Sequence, residues 1–199
     1  ITKVFTAVMI LQLESEGKLS IDDSATKYID LKQHNAAGIT IKHLLNHSSG
    51  LYNYTASKKL KWKDTPNQCL ENSLKRKLNF TPGSKYDYCN TGYVILGLII
   101  EKITAQSYQQ NITERIFKPC GLESMIYCSD DKIPFNTARG YKIKHNKYTD
   151  FTEIDHSWAN SAGAVLGNLT DLNKFVDCLF KGNLIDSSRL KKMISPTII

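Results

Sequence analysis

The sequence predicts a mainly α domain with little β structure, and three observations carry that expectation. Apolar residues recur at helical spacing through most of the 199 residues. Residues that start and stop helices punctuate those runs: Thr40 and Ser107 stand before them, Gly17 and Gly182 after them. Strand-like alternation is confined to the stretch from Gly140 to Ile154.

In chain order, Val4 to Leu13 is apolar on nearly all sides, which marks a buried helix, and Gly17 ends it. A helix starting at residue 1 has no capping Ser, Thr, Asp or Asn before it, an unusual start. A turn at residues 19–23 leads to a brief helix near Ala25 to Ile29. Thr40 caps another at Ile41 to Asn46, which His47-Ser48-Ser49-Gly50 closes. A helix near Asn67 to Leu78 aligns Leu70, Leu74 and Leu78. Thr81-Pro82-Gly83-Ser84 is a turn, Lys85 to Asn90 a loop, and Thr91 to Ile103 a strongly apolar helix. Ser107 caps the next one, with Tyr108, Ile112, Ile116 and Phe117 on it and Pro119 and Gly121 as its stop. Tyr141, Ile143, Tyr148, Phe151 and Ile154, with Asn146 near the middle, predict a small hairpin. A helix from Thr170 presents Leu172, Phe175, Val176 and Leu179, and a last short one follows Ser187. These are too few strands for a sheet of its own.

A net charge of +7 raises the question of a nucleic-acid partner. The positive charge is spread out, apart from small knots at residues 58–61 and 75–77. It is almost all lysine, with Arg76, Arg115, Arg139 and Arg189 the four arginines. Base readout favours arginine forks, so the pattern predicts a solvated surface and no nucleic acid. No apolar run is long enough for a membrane span. The cysteines, Cys69, Cys89, Cys120, Cys128 and Cys178, are odd in number and irregular in spacing, which predicts small buried apolar groups with at most one bridge, for example Cys120 with Cys128. No Cys-x-x-Cys pair or His–Cys spacing calls for a metal, and no cofactor is expected.

Three local signals bear on chemistry, each with a bland counterpart. Lys3 opens the buried helix. A Ser-x-x-Lys pattern sets serine and lysine one turn apart on one face, where the amine can help deprotonate the hydroxyl, and a serine directly before Ile1 would complete it. The bland alternative is a surface lysine. Tyr88-Cys89-Asn90 lies between a proline turn and a buried helix, a rigid platform for a phenol and an amide; otherwise Tyr88 is a core tyrosine and Asn90 a helix cap. His47 beside Ser48 and Ser49 invites a Ser–His reading, but such pairs meet in space rather than in sequence and no Gly-x-Ser-x-Gly elbow is present, so a polar loop closing a helix is expected.

Taken together and in order, these segments resemble the β-lactamase-related serine hydrolases, a family that includes class C β-lactamases, D-alanyl-D-alanine carboxypeptidases, esterases and peptidases. "KVFTAVMILQLESEGKLSIDD" from Lys3 is similar to the family's start just after its nucleophile, and "ITIKHLLNHSSGL" from Ile39 to its characteristic loop. "FTPGSKYDYCNTGYVILGLIIEKIT" from Phe80 resembles the segment carrying Tyr-x-Asn, and "SAGAVLGNLTDLNKF" from Ser161 the later small-residue turn and helix.

The resemblance implies that residues 1–199 are one helical domain of the α+β β-lactamase/transpeptidase-like fold, truncated at both ends, with the main antiparallel sheet largely missing. It implies catalytic roles for Lys3, as the lysine of Ser-x-x-Lys; for Tyr88, as the proton shuttle; and for Asn90, as the amide that binds substrate and the lysine. An ammonium at Lys3 beside the Tyr88 phenol would favour its ionised form by charge proximity. The nucleophile and the third motif, Lys-Thr-Gly or His-x-Gly, are absent, so the chain alone is expected to be inactive. Cys89 stands where the family often has serine. The implied substrate is a small molecule or peptide, namely a β-lactam, a D-Ala-D-Ala-like peptide or an ester, and the implied location is extracytoplasmic. The alternative is an inactive relative kept as a binding or scaffold module.

Overall fold

The computed structural model describes residues 1–31, 36–57, 64–128, 133–134, 136–152 and 156–196. Ile154 and the basic run at 58–61 lie outside the described residues.

Two buried helices form the centre. Helix α1 (Thr2–Ser15) buries nine of its side chains, among them Phe5, Met9 and Leu13. Its near-uniform apolarity leaves no polar face, so it is wrapped on several sides. Helix α4 (Asn90–Thr104) packs against it with Ile95, Leu96 and Ile99 fully buried. Each such side chain contributes about 1.5–3 kcal/mol by leaving water.

The smaller helices surround that pair. They are α2 (Ile41–Leu45), α3 (Pro66–Leu74), α5 (Tyr108–Ile112), α6 (Asn160–Gly163), α7 (Leu169–Phe180) and α8 (Ser187–Ile194). Thr40, Thr65 and Ser107 build reciprocal capping boxes with His43, Gln68 and Gln110. Helix α3 stops at Leu74, four residues short of the predicted end; Leu78 still packs against the core, but from beyond the helix. A π turn over Thr113–Phe117 continues α5 and brings Phe117 edge-on to Phe5 at 5.9 Å.

Among the described residues the strands form two two-stranded ladders. The predicted hairpin is β2 (Tyr141–Lys144) with β3 (Lys147–Asp150), turning at His145 and Asn146, both at positive φ. The second ladder pairs β1 (Ile126–Tyr127) with β4 (Val165–Leu166). Two residues per strand are too few to show alternation, which is why the sequence does not announce it.

The disulfide joins Cys120 to Cys178, not to Cys128. Residue 120 follows the π turn, and α7 runs past it with Cys178 on its buried face, whereas Cys128 enters the core at the end of β1. Cys69, Cys89 and Cys128 are buried thiols, as expected. Buried Asp171 ties α7 to the loop before β1. Its carboxylate accepts from the Ser124 hydroxyl (2.7 Å) and amide (2.6 Å), and these bonds hold its pKa at about 2. Among the described residues no helix is long and apolar enough to cross a membrane.

Candidate active site

The site is assembled where the first turn of α1 meets the start of α4. Lys3 belongs to that first turn, whose helix has no side-chain cap. Its neighbours Thr2 and Thr6 pin α1 to the segment α6–β4. The Val165 amide donates to Thr2 Oγ1 at 3.1 Å, and Thr6 Oγ1 donates to the Ser161 carbonyl at 2.7 Å. Lys3 therefore enters a fixed environment. Its Nζ donates to the Ala162 carbonyl at 2.7 Å and to Asn90 Oδ1 at 2.8 Å. It also stands 4.9 Å from the ring centre of Tyr88 and 5.3 Å from that of Tyr93, within the range of cation–π attraction.

Asn90 is the first residue of α4, and Cys89 occupies the cap position. The Asn90 side chain is thus turned away from capping and toward Lys3. Its Nδ2 donates to Thr55 Oγ1 at 3.2 Å, while its backbone amide donates to Asn53 Oδ1 at 3.3 Å. With Oδ1 facing the ammonium and Nδ2 facing a hydroxyl, the amide is held in one orientation. Asn53 in turn caps the short turn Tyr54–Ala56 that presents Thr55.

Tyr88 is carried by a loop zipped to the segment after α2. The amides of Asn79, Gly83 and Asp87 donate to the carbonyls of Gly50, Ser48 and His47 at 2.7, 2.8 and 2.9 Å. Gly50 permits this approach. It has φ +74, and any Cβ there would overlap the Phe80 carbonyl. His47 lies at φ 61, a left-handed conformation costing roughly 1–2 kcal/mol for a non-glycine residue. Its ring stacks on Tyr88 (centroids 4.5 Å apart) and on Tyr93 (5.2 Å). Burial, aided by the charge of Lys3, pushes the His47 pKa down to about 4, so the ring is neutral at physiological pH.

Lys3, Tyr88 and Asn90, predicted as a group, are therefore brought together. Tyr88 is 49% exposed, at the surface rather than in the core. Cys89 faces the other way. It is buried, its Sγ donates to the Leu51 carbonyl at 3.3 Å, and burial raises its pKa, all of which suit a packing role. His47 closes α2 as expected, but it is also the stacking partner of Tyr88, which its place beside two serines does not reveal. Thr55 and Asn53 escaped sequence reasoning too; the Asn-x-Thr spacing, typical of a side-chain-capped turn, was the available signal. The Ala162 carbonyl carried no signal at all. A groove of about 740 Å³ runs along α1, lined by Lys3, His47 and Tyr93 together with Val4, Ala7 and Leu11. Among the described residues no three His, Cys, Asp or Glu side chains gather as a metal site would require.

A sequence profile described as Beta-lactamase matches residues 1–197. A penicillin-binding protein of Bacillus subtilis (strain 168) is 31% identical over 98% of this chain and 47% of its own length. The chain spans about half the length of these curated relatives. In three dimensions, a D-stereospecific amidohydrolase from Streptomyces sp. superposes with a TM-score of 0.90 at 29% identity, covering 98% of this chain and 64% of that one. The D-amino acid amidase of Ochrobactrum anthropi SV3, complexed with L-phenylalanine amide, gives 0.85 at 30% identity over 96% and 57%.

Proposed function

Because the chain belongs to the β-lactamase family, with its β-lactamase/transpeptidase-like fold, we propose that residues 1–199 are the helical part of a serine hydrolase acting through an acyl-enzyme on amide or ester carbonyls. The observation that carries this reading is the convergence of Lys3, Tyr88 and Asn90 on one point, although Lys3 and Asn90 are 87 residues apart. A packing role needs no such meeting of ammonium, phenol and amide.

On this reading the nucleophile is a serine directly before Ile1, one helical turn from Lys3 and on its face. Two hydrogens of Lys3 Nζ are committed to Asn90 and Ala162, which leaves the remaining valence to exchange a proton with the serine hydroxyl. The serine oxygen attacks the carbonyl carbon. Its proton passes through the Lys3–Tyr88 pair, and Tyr88 returns a proton to the departing amine or alcohol. Water then attacks the acyl ester, releasing acid and restoring the serine hydroxyl. The second Nδ2 hydrogen of Asn90 orients the substrate. On this reading residues 1–199 are a helical unit that works together with the family's main sheet and third motif.

The substrate is a small molecule or peptide: a β-lactam, a D-Ala-D-Ala-like peptide, a D-amino acid amide or an ester. The location is extracytoplasmic, supported by the penicillin-binding relatives and by a disulfide, a bond that persists in oxidising compartments. The test is the intact mass of the full-length protein after exposure to a penicillin and, separately, to a fluorophosphonate. The expected result is an adduct on the residue before Ile1 that disappears in Lys3→Ala. Absence of any adduct on a folded protein would favour the inactive binding module instead.

A further inference from the structure

Tyr88 is half exposed on a loop, yet a proton shuttle must be aimed. The residues on either side of it are both tied to His47. The Asp87 amide donates to the His47 carbonyl at 2.9 Å, and the Cys89 amide donates to His47 Nδ1 at 3.2 Å. Between those two tethers, the imidazole stacks on the Tyr88 ring at 4.5 Å with a 36° tilt. Its other neighbours are Tyr93 at 5.2 Å and Tyr86, edge-on, at 6.0 Å. The titratable groups facing it are thus Lys3 from α1, Tyr86 and Tyr88 from the loop, and Tyr93 from α4.

We propose that His47 is the positioning residue for Tyr88, holding the phenol toward the reacting serine through its ring face and through Nδ1, and that it does so as the neutral imidazole protonated on Nε2. This inference rests on the hydrolase reading for its kinetic consequence but not for its structural one. Nδ1 accepts the Cys89 hydrogen only while unprotonated, which places the proton of the neutral ring on Nε2. A protonated ring would release Cys89 and set a second cation beside Lys3. The depressed pKa of His47 agrees with this requirement. His47 itself handles no proton of the reaction; it acts through Tyr88.

The discriminating variant is His47→Gly, since glycine tolerates a positive φ and offers neither a ring nor a side-chain acceptor. In the full-length protein, acylation by a fluorophosphonate and turnover of a p-nitrophenyl ester should slow by about 10- to 100-fold, the cost of a misaimed group, with KM unchanged. Tyr88→Phe combined with His47→Gly should be no slower than Tyr88→Phe alone, because the second change acts only through the first. Losses that multiply, or a folded His47→Gly that acylates at the native rate, would overturn the proposal. A second readout is independent of catalysis: hydrogen exchange at the Cys89 amide should accelerate in His47→Gly while amides inside α4 stay protected. If the native protein reacts with neither reagent, the hydrolase reading fails, and the Cys89 amide then decides the His47 inference alone. Acceleration upholds it as the tether of Tyr88, and unchanged exchange overturns it.

Discussion

Lys3 is a single ammonium at the meeting point of a carbonyl, an amide and two aromatic faces. Replacing it with methionine keeps the stem but leaves the Ala162 carbonyl and Asn90 Oδ1 facing an apolar end. An acceptor left without its donor costs about 1–3 kcal/mol, so Lys3→Met should lower the denaturant midpoint. In the full-length protein it should also slow acylation by about 10²–10⁴-fold, the range of a lost general base, as followed by fluorophosphonate labelling. His47 gives a pH signature at the same scale. Its pKa falls from 6.5 to about 4 on folding, so below pH 6.5 the unfolded chain binds a proton that the native state refuses. Stability therefore declines as pH drops from about 6.5 to 4. Urea titrations across that window should show a shallower decline in His47→Asn; an unchanged slope would mean that the ring is not held neutral.

Between elements, the site depends on two loops lying flush. The segment after α2 and the segment before α4 share three backbone hydrogen bonds, and Gly50 sets their separation. Gly50→Ala combines left-handed strain with overlap of the Phe80 carbonyl, so it should destabilise by more than the roughly 1–2 kcal/mol of strain alone. Gly17, after α1, is the internal control. It has φ +69 and open space around it, so Gly17→Ala should cost the strain and little else. Equilibrium denaturation of the two variants separates the terms; equal losses would show that the loops yield freely. A second close approach lies between α4 and α6, where a Cβ on Gly97 would overlap Ser161. That contact keeps the Ala162 carbonyl within reach of Lys3.

Across the whole molecule, the Cys120–Cys178 bridge fastens α7 to the end of the α5 segment across 58 residues. A loop of that length corresponds to about 4 kcal/mol of unfolded-state entropy. Thermal unfolding of the paired Cys120→Ser, Cys178→Ser variant should therefore show a large drop in Tm. Reduction of the native protein should reproduce that drop, and a melting curve indifferent to reductant would contradict the bridge. The Lys3–Tyr88–Asn90 cluster lies on α1, α4 and the loop before α4, so on the proposed function the same variant in the full-length protein should keep its acylation chemistry below its lowered Tm.

What the sequence determined by itself was local. The apolar runs at 4–13 and 91–103 became α1 and α4 because burial on all sides is written into every position of such a helix. Thr40 and Ser107 became caps because their hydrogen bonds close within three residues. Lys3, Tyr88 and Asn90 could be singled out only through the family resemblance that their order carries, and the structure sets them side by side. The tertiary structure decided everything that depended on partners distant along the chain. Helix α3 ended at Leu74, the two-residue strands β1 and β4 found each other, and Cys120 chose Cys178. Asn90 faced Lys3 instead of capping α4, and His47 stacked on Tyr88. The reason is common to all of these: propensity and periodicity act over a few residues, whereas the mate of a side chain 40 to 160 positions away is fixed only when the core closes and brings the two together.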